Sequence, residues 1–449
     1  MSKRINTFSA FRSRNYRLYF YGQSISLIGT WMQRTAVAWV IYTLTHSTFM
    51  LGLILFASQF PSFLLSVFGG VVSDRYNRFR VLLTTQIASL VQASLLATLV
   101  LLGNYTAWEM LGLSVVLGCI NAFDVPARQA LMYDMIDDKN DLPNALALNA
   151  TMFNLARLVG PAIAGIMLEK FGAGFCFVLN AASFIAVIGS LLMMRLLPGP
   201  SVAHPERPGR ELREGFAYLR KTPAISRPIL MLAAMSLLVI PFATLLPVYA
   251  KVIFHGGAST FGFINSFIGL GAIGGALFLA SLRTEANRKK VLMINTLIFG
   301  AGLLLFSHTG WFPLAMVFVL LAGFGMMATT TICNTIVQTS AAPEMRGRAI
   351  SYYAMAYFGM LPLGSLLVGF ISQYLGVANT IMAQGCAALL IVFLFRSFLT
   401  RSDAAASPAP PTAASQPVGA TTTGAISTGA APSPITGGSV KLIVETIDK

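Results

Sequence analysis

The sequence predicts an all-α membrane protein with twelve transmembrane helices in two pseudo-symmetric six-helix bundles. Three observations carry this. The 449 residues are 55% hydrophobic and only 10% charged, with a mean hydropathy of +0.71, whereas soluble domains carry about 25% charged residues. Charge-free runs cover 35–73, 81–108, 171–194, 228–250, 252–282, 291–343 and 349–395. A span needs roughly 20 apolar residues, so the longer runs must each hold two spans joined by a short turn. Finally, the halves repeat. A shift of 210 lays Asn77-Arg78-Phe79-Arg80-Val81-Leu82 on Asn287-Arg288-Lys289-Lys290-Val291-Leu292, and a shift of 201 lays Gly160-Pro161 on Leu361-Pro362.

Taken in order, the basic start MSKRINTFSAFRSRNYR precedes an apolar segment too long for a signal-peptide core, so the first span is expected as an uncleaved anchor. Splitting the apolar runs at His, Gly, Pro and polar clusters places helices at 17–44, 49–72, 81–103, 109–135, 142–168, 173–196, 227–253, 259–282, 290–307, 312–338, 346–374 and 377–397. Residues 1–16 form a basic terminus, 17–196 the first bundle, 197–226 a linker, 227–400 the second bundle and 401–449 a tail. The linker starts Pro-rich and continues as LREGFAYLRK, a short helix with Leu212, Phe216 and Leu219 on one face, expected to lie on the inner leaflet. The tail, uncharged over 404–440 and mainly Ala, Pro, Ser, Thr and Gly, is expected to be disordered.

Lys and Arg near the span ends divide 24 to 2 between the two sides, the minority being Lys170 and Lys251. By the positive-inside rule both termini are then cytoplasmic. Most of the +15 net charge thereby belongs to the membrane surface, and no nucleic-acid partner is expected. Two parallel six-helix repeats suggest a transporter with its cavity between the halves.

The loop after the second span, Gly70-x-x-x-Asp74-Arg75-x-Asn77-Arg78, concentrates charge. Orientation alone is one reason for it. Its spacing also resembles the signature loop of the major facilitator superfamily, Gly-x-x-x-Asp-Arg-x-Gly-Arg. That resemblance implies a cytoplasmic latch in which Gly70 lets another helix approach, Asp74 accepts hydrogen bonds from the N-terminus of a helix in the partner half, and Arg75 and Arg78 supply the bases. Asn77 replaces the family glycine, and Asn tolerates a left-handed turn. Phe79 stands where a base is usual, and Arg80 could supply it. The repeat copy, Thr284-Glu285-Ala286-Asn287-Arg288, lacks the Asp, which puts the latch in the first half.

Gly160, Pro161 and Gly165 in the fifth span form either a packing kink or, by resemblance, the Gly-Pro core of the motif associated with exporters of that superfamily, with Ala147, Ala156 and Ala164 where the family prefers Gly. The strings DVPARQAL (124–131), PEMRGRAIS (343–351), MLPLGSLLVG (360–369) and WVIYTLTHS (39–47) resemble the branch containing the enterobactin exporter and macrolide efflux pumps. The resemblance implies a bacterial plasma-membrane protein, expected to be a monomer, that exports small amphipathic siderophore or drug-like molecules by alternating access with proton antiport.

Arg34, Arg128, Arg157 and Asp124 fall inside predicted helices. Each costs about 2.5–3.5 kcal/mol on insertion scales, so roles facing the bundle or cavity are the default. Asp124 and Arg128 share one helix face. They form a structural ion pair, or else a proton-coupling pair linked through Arg128 to Asp74. Arg34 beside Gln23, Trp31 and Gln33 either caps the bundle or, with Arg157, binds an anionic substrate. Asn334 and Tyr353 are candidates for the opposite wall. The histidines lack metal-site spacing, no P-loop follows a strand, and the four cysteines sit in apolar runs. No cofactor, metal or enzymatic activity is expected, and a gradient must supply the energy. A lysophospholipid flippase or importer of the same architecture, and a receptor or scaffold acting through the tail, are the alternatives.

Overall fold

The computed structural model describes residues 8–195, 208–283 and 286–400. The expected tail, the Pro-rich part of the linker, residues 1–7, the pair Thr284-Glu285 and the side chain of Leu212 lie outside the described residues.

Among these residues ten helices are long and apolar enough to cross a bilayer. One of them, Lys139–Leu192, has 54 residues, about 80 Å of helix at 1.5 Å per residue, against a hydrocarbon layer of about 30 Å. It breaks at Gly172, whose φ of 81° only glycine adopts without strain, and so makes two spans. The twelfth is the first helix, Arg14–Thr45, where buried Gln23, Ser26, Gln33 and Thr35 lower the hydropathy. The spans are α1 (Arg14–Thr45), α2 (Thr48–Arg75), α3 (Arg78–Leu101), α4 (Ala107–Asp134), α5 (142–171), α6 (173–192), α7 (Pro223–Ile253), α8 (Ala258–Ala280), α9 (Arg288–Ser307), α10 (Phe312–Ser340), α11 (346–375) and α12 (Val377–Leu394).

The internal repeat has a structural counterpart in local devices. Asn77 and Asn287 cap α3 and α9, their side chains accepting from Arg80 N at 3.1 Å and Lys290 N at 3.0 Å. Asn77 is therefore retained as an N-cap in extended backbone (φ −62°, ψ 113°), not as the left-handed turn expected of it. Gly172 and Gly376 (φ 76°) make the equivalent one-residue reversals α5–α6 and α11–α12.

Two helices depart from regularity. α7 passes through a 3-10 stretch, Ile240–Leu245, containing Pro241, and ends in a π-helical turn, Tyr249–Ile253. α11 carries a π-helical stretch at Met355–Gly359. Such stretches recur at functional sites.

The linker helix, Pro208–Lys221, does not lie free on a lipid surface. Leu219 is buried with Ile225, Val337 and Ala349, Tyr218 Oη accepts from Ala342 N at 3.2 Å, and Gly215 abuts the Tyr352 ring. Of the expected apolar face, Leu219 is buried against the second half, while Phe216 stays 55% exposed.

Helix direction defines two ends: a basic end, where α2 meets α3 and α8 meets α9, and a far end, where α1 meets α2 and α7 meets α8. The halves touch along two seams, α2 with α11 and α5 with α8. Both are glycine seams near the far end. A Cβ on Gly369 would lie 2.6 Å from Thr48 O and 3.0 Å from Gly52 Cα; one on Gly165 would lie 2.8 Å from Ala258 O and 3.1 Å from Gly262 Cα. Hydrogen bonds cross there: Thr48 Oγ1 to Gly369 O (2.9 Å), Gln373 Nε2 to Ser47 Oγ (2.9 Å) and Ser266 Oγ to Leu158 O (2.8 Å). Small residues are what allow such backbone approach in a bilayer, where lipid is as apolar as the side chains it would displace. Towards the basic end the contact fades. Past Phe63, whose ring meets Gly359, residues Leu64, Ser66, Val67 and Phe68 are all exposed on more than one face of α2. The halves are joined at the far end and parted at the basic end.

Gly165→Val is expected to force α5 off α8. Ser266, 7% exposed behind this seam, reports it: a cysteine there should be inert to an impermeant maleimide added from the far end in the parent and reactive in the Gly165→Val protein. Unchanged inertness would contradict the seam.

Candidate functional site

The parting of the halves ends against α5. Here the backbone of α5 meets α8 through Ser266, which donates to Leu158 O, and through Gly269, where a Cβ would lie 3.1 Å from Leu158 Cα and 3.4 Å from Arg157 O. Arg157 stands at this contact, 15 residues along α5 and so about 23 Å from the basic end. Arg34 on α1 is exposed although it lies deep in the chain's apolar layer, and it is close enough to Arg157 for the two cations to repel. Tyr357, in the π-helical stretch of α11, neighbours both guanidinium groups from the second half. Two cations from one half and a phenol from the other thus converge at the apex of the cleft. Lipid cannot solvate these charges, so they must face water or a ligand.

Local packing fixes this arrangement. Arg34 stacks on the Trp31 ring with its guanidinium carbon 5.0 Å from the centroid, and Trp31 meets Phe153 edge-on at 5.9 Å. Gly160 allows Trp31 that position: a Cβ there would lie 2.5 Å from Trp31 Cβ. Gly160 thus packs α5 on α1, and Gly165 packs α5 on α8 across the seam, while Pro161 is buried between them. The Gly-Pro element is structural in its contacts, and those contacts orient the residues at the cavity apex.

Gln23 was expected in the cavity but is sealed at 3% exposure. Its neighbour Gly22 packs against Ser190 of α6, so that part of α1 faces the bundle core. Gln33 also turns inward, into a chain that sequence reading missed: Asn180 Nδ2 donates to Gln33 Oε1 (2.7 Å), Gln33 Nε2 to Gln92 Oε1 (3.2 Å) and Gln92 Nε2 to Leu113 O (3.2 Å). On the second half, Tyr353 Oη donates to Thr330 O (3.0 Å), and Asn334 accepts from Gln338 on its own helix (3.0 Å). Tyr353 lies one turn from Tyr357, whereas Asn334 is held by α10.

Asp124 is 1% exposed and lies between α3 and α4. Its carboxylate pairs with Arg128 and accepts from Thr85 Oγ1 (2.9 Å) and Gln86 Nε2 (2.6 Å). A signal for such partners was present in the sequence: Thr85, Ser89 and Gln92 recur at i, i+4 and i+7, a polar stripe on a membrane helix that must find company inside the bundle, and Gln86 adjoins it. Arg128 retains 22% side-chain exposure, so the pair is sealed on the carboxylate side and open on the guanidinium side.

At the basic end Asp74 and Arg75 are exposed, and Arg78 Nη1 binds Asp134 Oδ2 at 3.3 Å. The close helix approach expected of Gly70 falls on Gly69: a Cβ there would run into the Ala122 carbonyl of α4, whereas one on Gly70 meets nothing within 4 Å. Arg128 is engaged by Asp124, because four residues on one helix face bring it there without any rearrangement.

Asp124→Ala leaves the Arg128 guanidinium without its buried partner, and a broken buried pair typically costs about 3–5 kcal/mol. Thermal unfolding in detergent should show a marked fall for Asp124→Ala and recovery of most of it in Asp124→Leu/Arg128→Met. A double variant as unstable as the single one would contradict a structural ion pair.

Comparison with known proteins agrees with this architecture. A staphyloferrin A transporter from Staphylococcus aureus (strain NCTC 8325 / PS 47) is 28% identical over 386 residues, covering 84% of this chain and 94% of the relative. The enterobactin exporter EntS of Escherichia coli O9:H4 (strain HS) is 26% identical over 388 residues, covering 84% and 89%. The multidrug efflux pump Tap of Mycolicibacterium fortuitum is 24% identical over 366 residues, covering 79% and 88%. Among solved structures, the nucleoside transporter NupG superposes with a TM-score of 0.67 at 14% identity, covering 87% of this chain and 99% of that one. A bacterial homologue of the lysosomal transporter Spinster, inward-facing and occupied, gives 0.65 at 14% identity, covering 87% and 96%. The family described as transmembrane secretion effector matches residues 5–422, and the chain belongs to it, a multi-pass membrane transporter of the major facilitator superfamily.

Proposed function

We propose that this protein is a secondary active exporter in a bacterial plasma membrane, with both termini cytoplasmic, which takes small amphipathic anions into the cleft at the basic end and releases them at the far end in exchange for protons. The observation that carries the reading is the convergence of Arg34, Arg157 and Tyr357 in a cleft between two halves joined at the far end along glycine seams. Two cations without a facing acid suit a carboxylate or catecholate, and the siderophore transporters among the relatives make that chemistry the first to test. The 24-to-2 division of Lys and Arg supports the cytoplasmic assignment of the basic end.

Alternating access requires the far-end seams to open while the basic end closes. At the basic end Gly70, Asp74, Arg75 and Arg78 supply the closing contact, and the bare surface around Gly70 is the space a helix of the second half would fill. Proton coupling rests on Asp124 with Arg128. The guanidinium is the accessible partner, so hydration of the pair begins on its side, and a proton reaches Asp124 only when Arg128 moves off it. The domain division at residues 197–226 follows the same scheme, with the linker helix travelling with the second half. The transporter works as a monomer, since its cavity is completed within one chain.

Proton flux in energised inside-out vesicles, challenged with siderophores, macrolides, tetracyclines, cationic dyes and lysolipids, tests the reading. An anionic compound should release protons from wild-type vesicles and not from Asp124→Asn, with both proteins present in equal amount. Response to lysolipids alone would move the protein to the flippase class, and an unaffected variant would remove Asp124 from coupling. Arg34→Ala should weaken an anionic substrate at least about tenfold more than a cationic one, the loss of one charge-assisted hydrogen bond; equal effects would take Arg34 out of the binding site.

A further inference from the structure

On the α5–α8 seam the far end carries a carboxylate that neither the cavity nor the basic-end loop uses. Glu169 is exposed on the last turn of α5, and its Oε2 accepts a 3.1 Å hydrogen bond from the backbone N–H of Ser259, the second residue of α8. The first amides of a helix have no carbonyl of their own to bind. Here the N-cap is Gly257, which offers no side-chain acceptor. The acceptor comes instead from the other half of the molecule. A Cβ on Gly257 would stand 3.1–3.5 Å from all three atoms of the Glu169 carboxyl group, so the carboxylate lies directly over this turn and glycine leaves it room. A helix N-terminus carries roughly half a positive charge, which makes an anion the favoured cap. The contact falls one turn beyond Gly165, so it closes the end of the α5–α8 seam.

Other charged groups stand nearby in the sequence of this end. Lys170 follows Glu169 on α5, Lys251 and His255 lie at the end of α7 and in the turn into α8, His46 ends α1, and Glu109 is bound in its own capping box with Thr106. The ion pairs between described residues are Arg78–Asp134 and Arg128–Asp124, so none of these groups neutralises Glu169.

We propose that Glu169 is the far-end latch of the transport cycle, a carboxylate that holds the halves together by capping α8 across the seam and must be released before that end opens. It is a positioning residue, since it touches no substrate. The inference depends on the joining of the halves and not on which compound is exported. The same chemistry is what the loop resemblance implies for Asp74 at the opposite end, so each end would have one carboxylate set against a helix start in the partner half.

The latch has a defined response to acid. Hydrogen bonds from Ser259 hold the Glu169 carboxyl below its ordinary value of 4.5. A group whose value is lowered when the contact is made stabilises that contact fully above the ordinary value and loses the stabilisation as pH falls through the lowered one. Acid that carries the pH below 4.5 and down through that lowered value therefore loosens the far end.

Spin labels on cysteines replacing Phe171 and Val252, both exposed at the far end on opposite halves, report opening by distance measurement in the full chain with its four native cysteines replaced. At pH 7.5 the parent should show the short distance. Glu169→Ala should raise the long-distance population about two- to fivefold, the range for one charge at a helix terminus, and Glu169→Gln, which keeps an acceptor without the charge, should fall between them. Ser259→Pro removes the donor in a first turn that tolerates proline, and should match Glu169→Ala without adding to it. As the pH is lowered stepwise below 4.5 the parent should move towards the Glu169→Ala distribution while the variant stays put. Identical distributions in the parent and Glu169→Ala at every pH, or additive effects of Glu169→Ala and Ser259→Pro, would overturn the latch.

Discussion

Lipid offers no hydrogen bonds and no counter-charge, and this constraint decides where everything in the molecule lies. Each span can satisfy its own backbone, but a polar side chain within it must be turned towards the protein or towards water. The first half meets the demand in two ways. Gln33, Gln92 and Asn180 tie α1, α3 and α6 into one chain, and Asp124 collects Thr85, Gln86 and Arg128 between α3 and α4. Only after these groups are paired do Arg34 and Arg157 stand out as cations whose setting is the space between the halves.

The same constraint makes glycine the means of joining the halves. With lipid as apolar as leucine there is little hydrophobic gain in bringing helices together, so close backbone packing and a few hydrogen bonds have to suffice. Gly52 with Gly369, and Gly165 with Gly262, provide that packing at the far end. An association built on a few close contacts suits a protein that must undo it in every cycle. The bundles themselves are packed around large buried side chains such as Phe177, Phe242, Phe299 and Phe306, and such close packing resists internal rearrangement.

The fold was largely legible in the sequence because hydropathy, basic loops and a shifted repeat all report one architecture. The span limits shifted where local chemistry intervenes: Pro223 starts α7 early at a first-turn position, and Gly172 joins α5 to α6 without a loop. The candidate site was legible only in part. Intramembrane charge pointed to Arg34, Arg157, Asp124 and Arg128, and the structure groups them as two separate pairs. What one sequence could not supply is the face each residue presents. Gln23 and Gln33 look alike as polar residues near Arg34, yet both turn into the core. Nothing in the sequence singles out Glu169, because its partner is a backbone amide of a helix 90 residues away.

The central claim is that the cavity apex at Arg157 is reached from the basic end and closed at the far end. A cysteine in place of Arg157, in a protein freed of its native cysteines and incorporated in vesicles of known orientation, tests it with an impermeant thiol reagent applied to one face at a time. The joined far end predicts rapid labelling from the basic end and little or none from the far end. Labelling from the far end alone, or equally from both, would contradict the account.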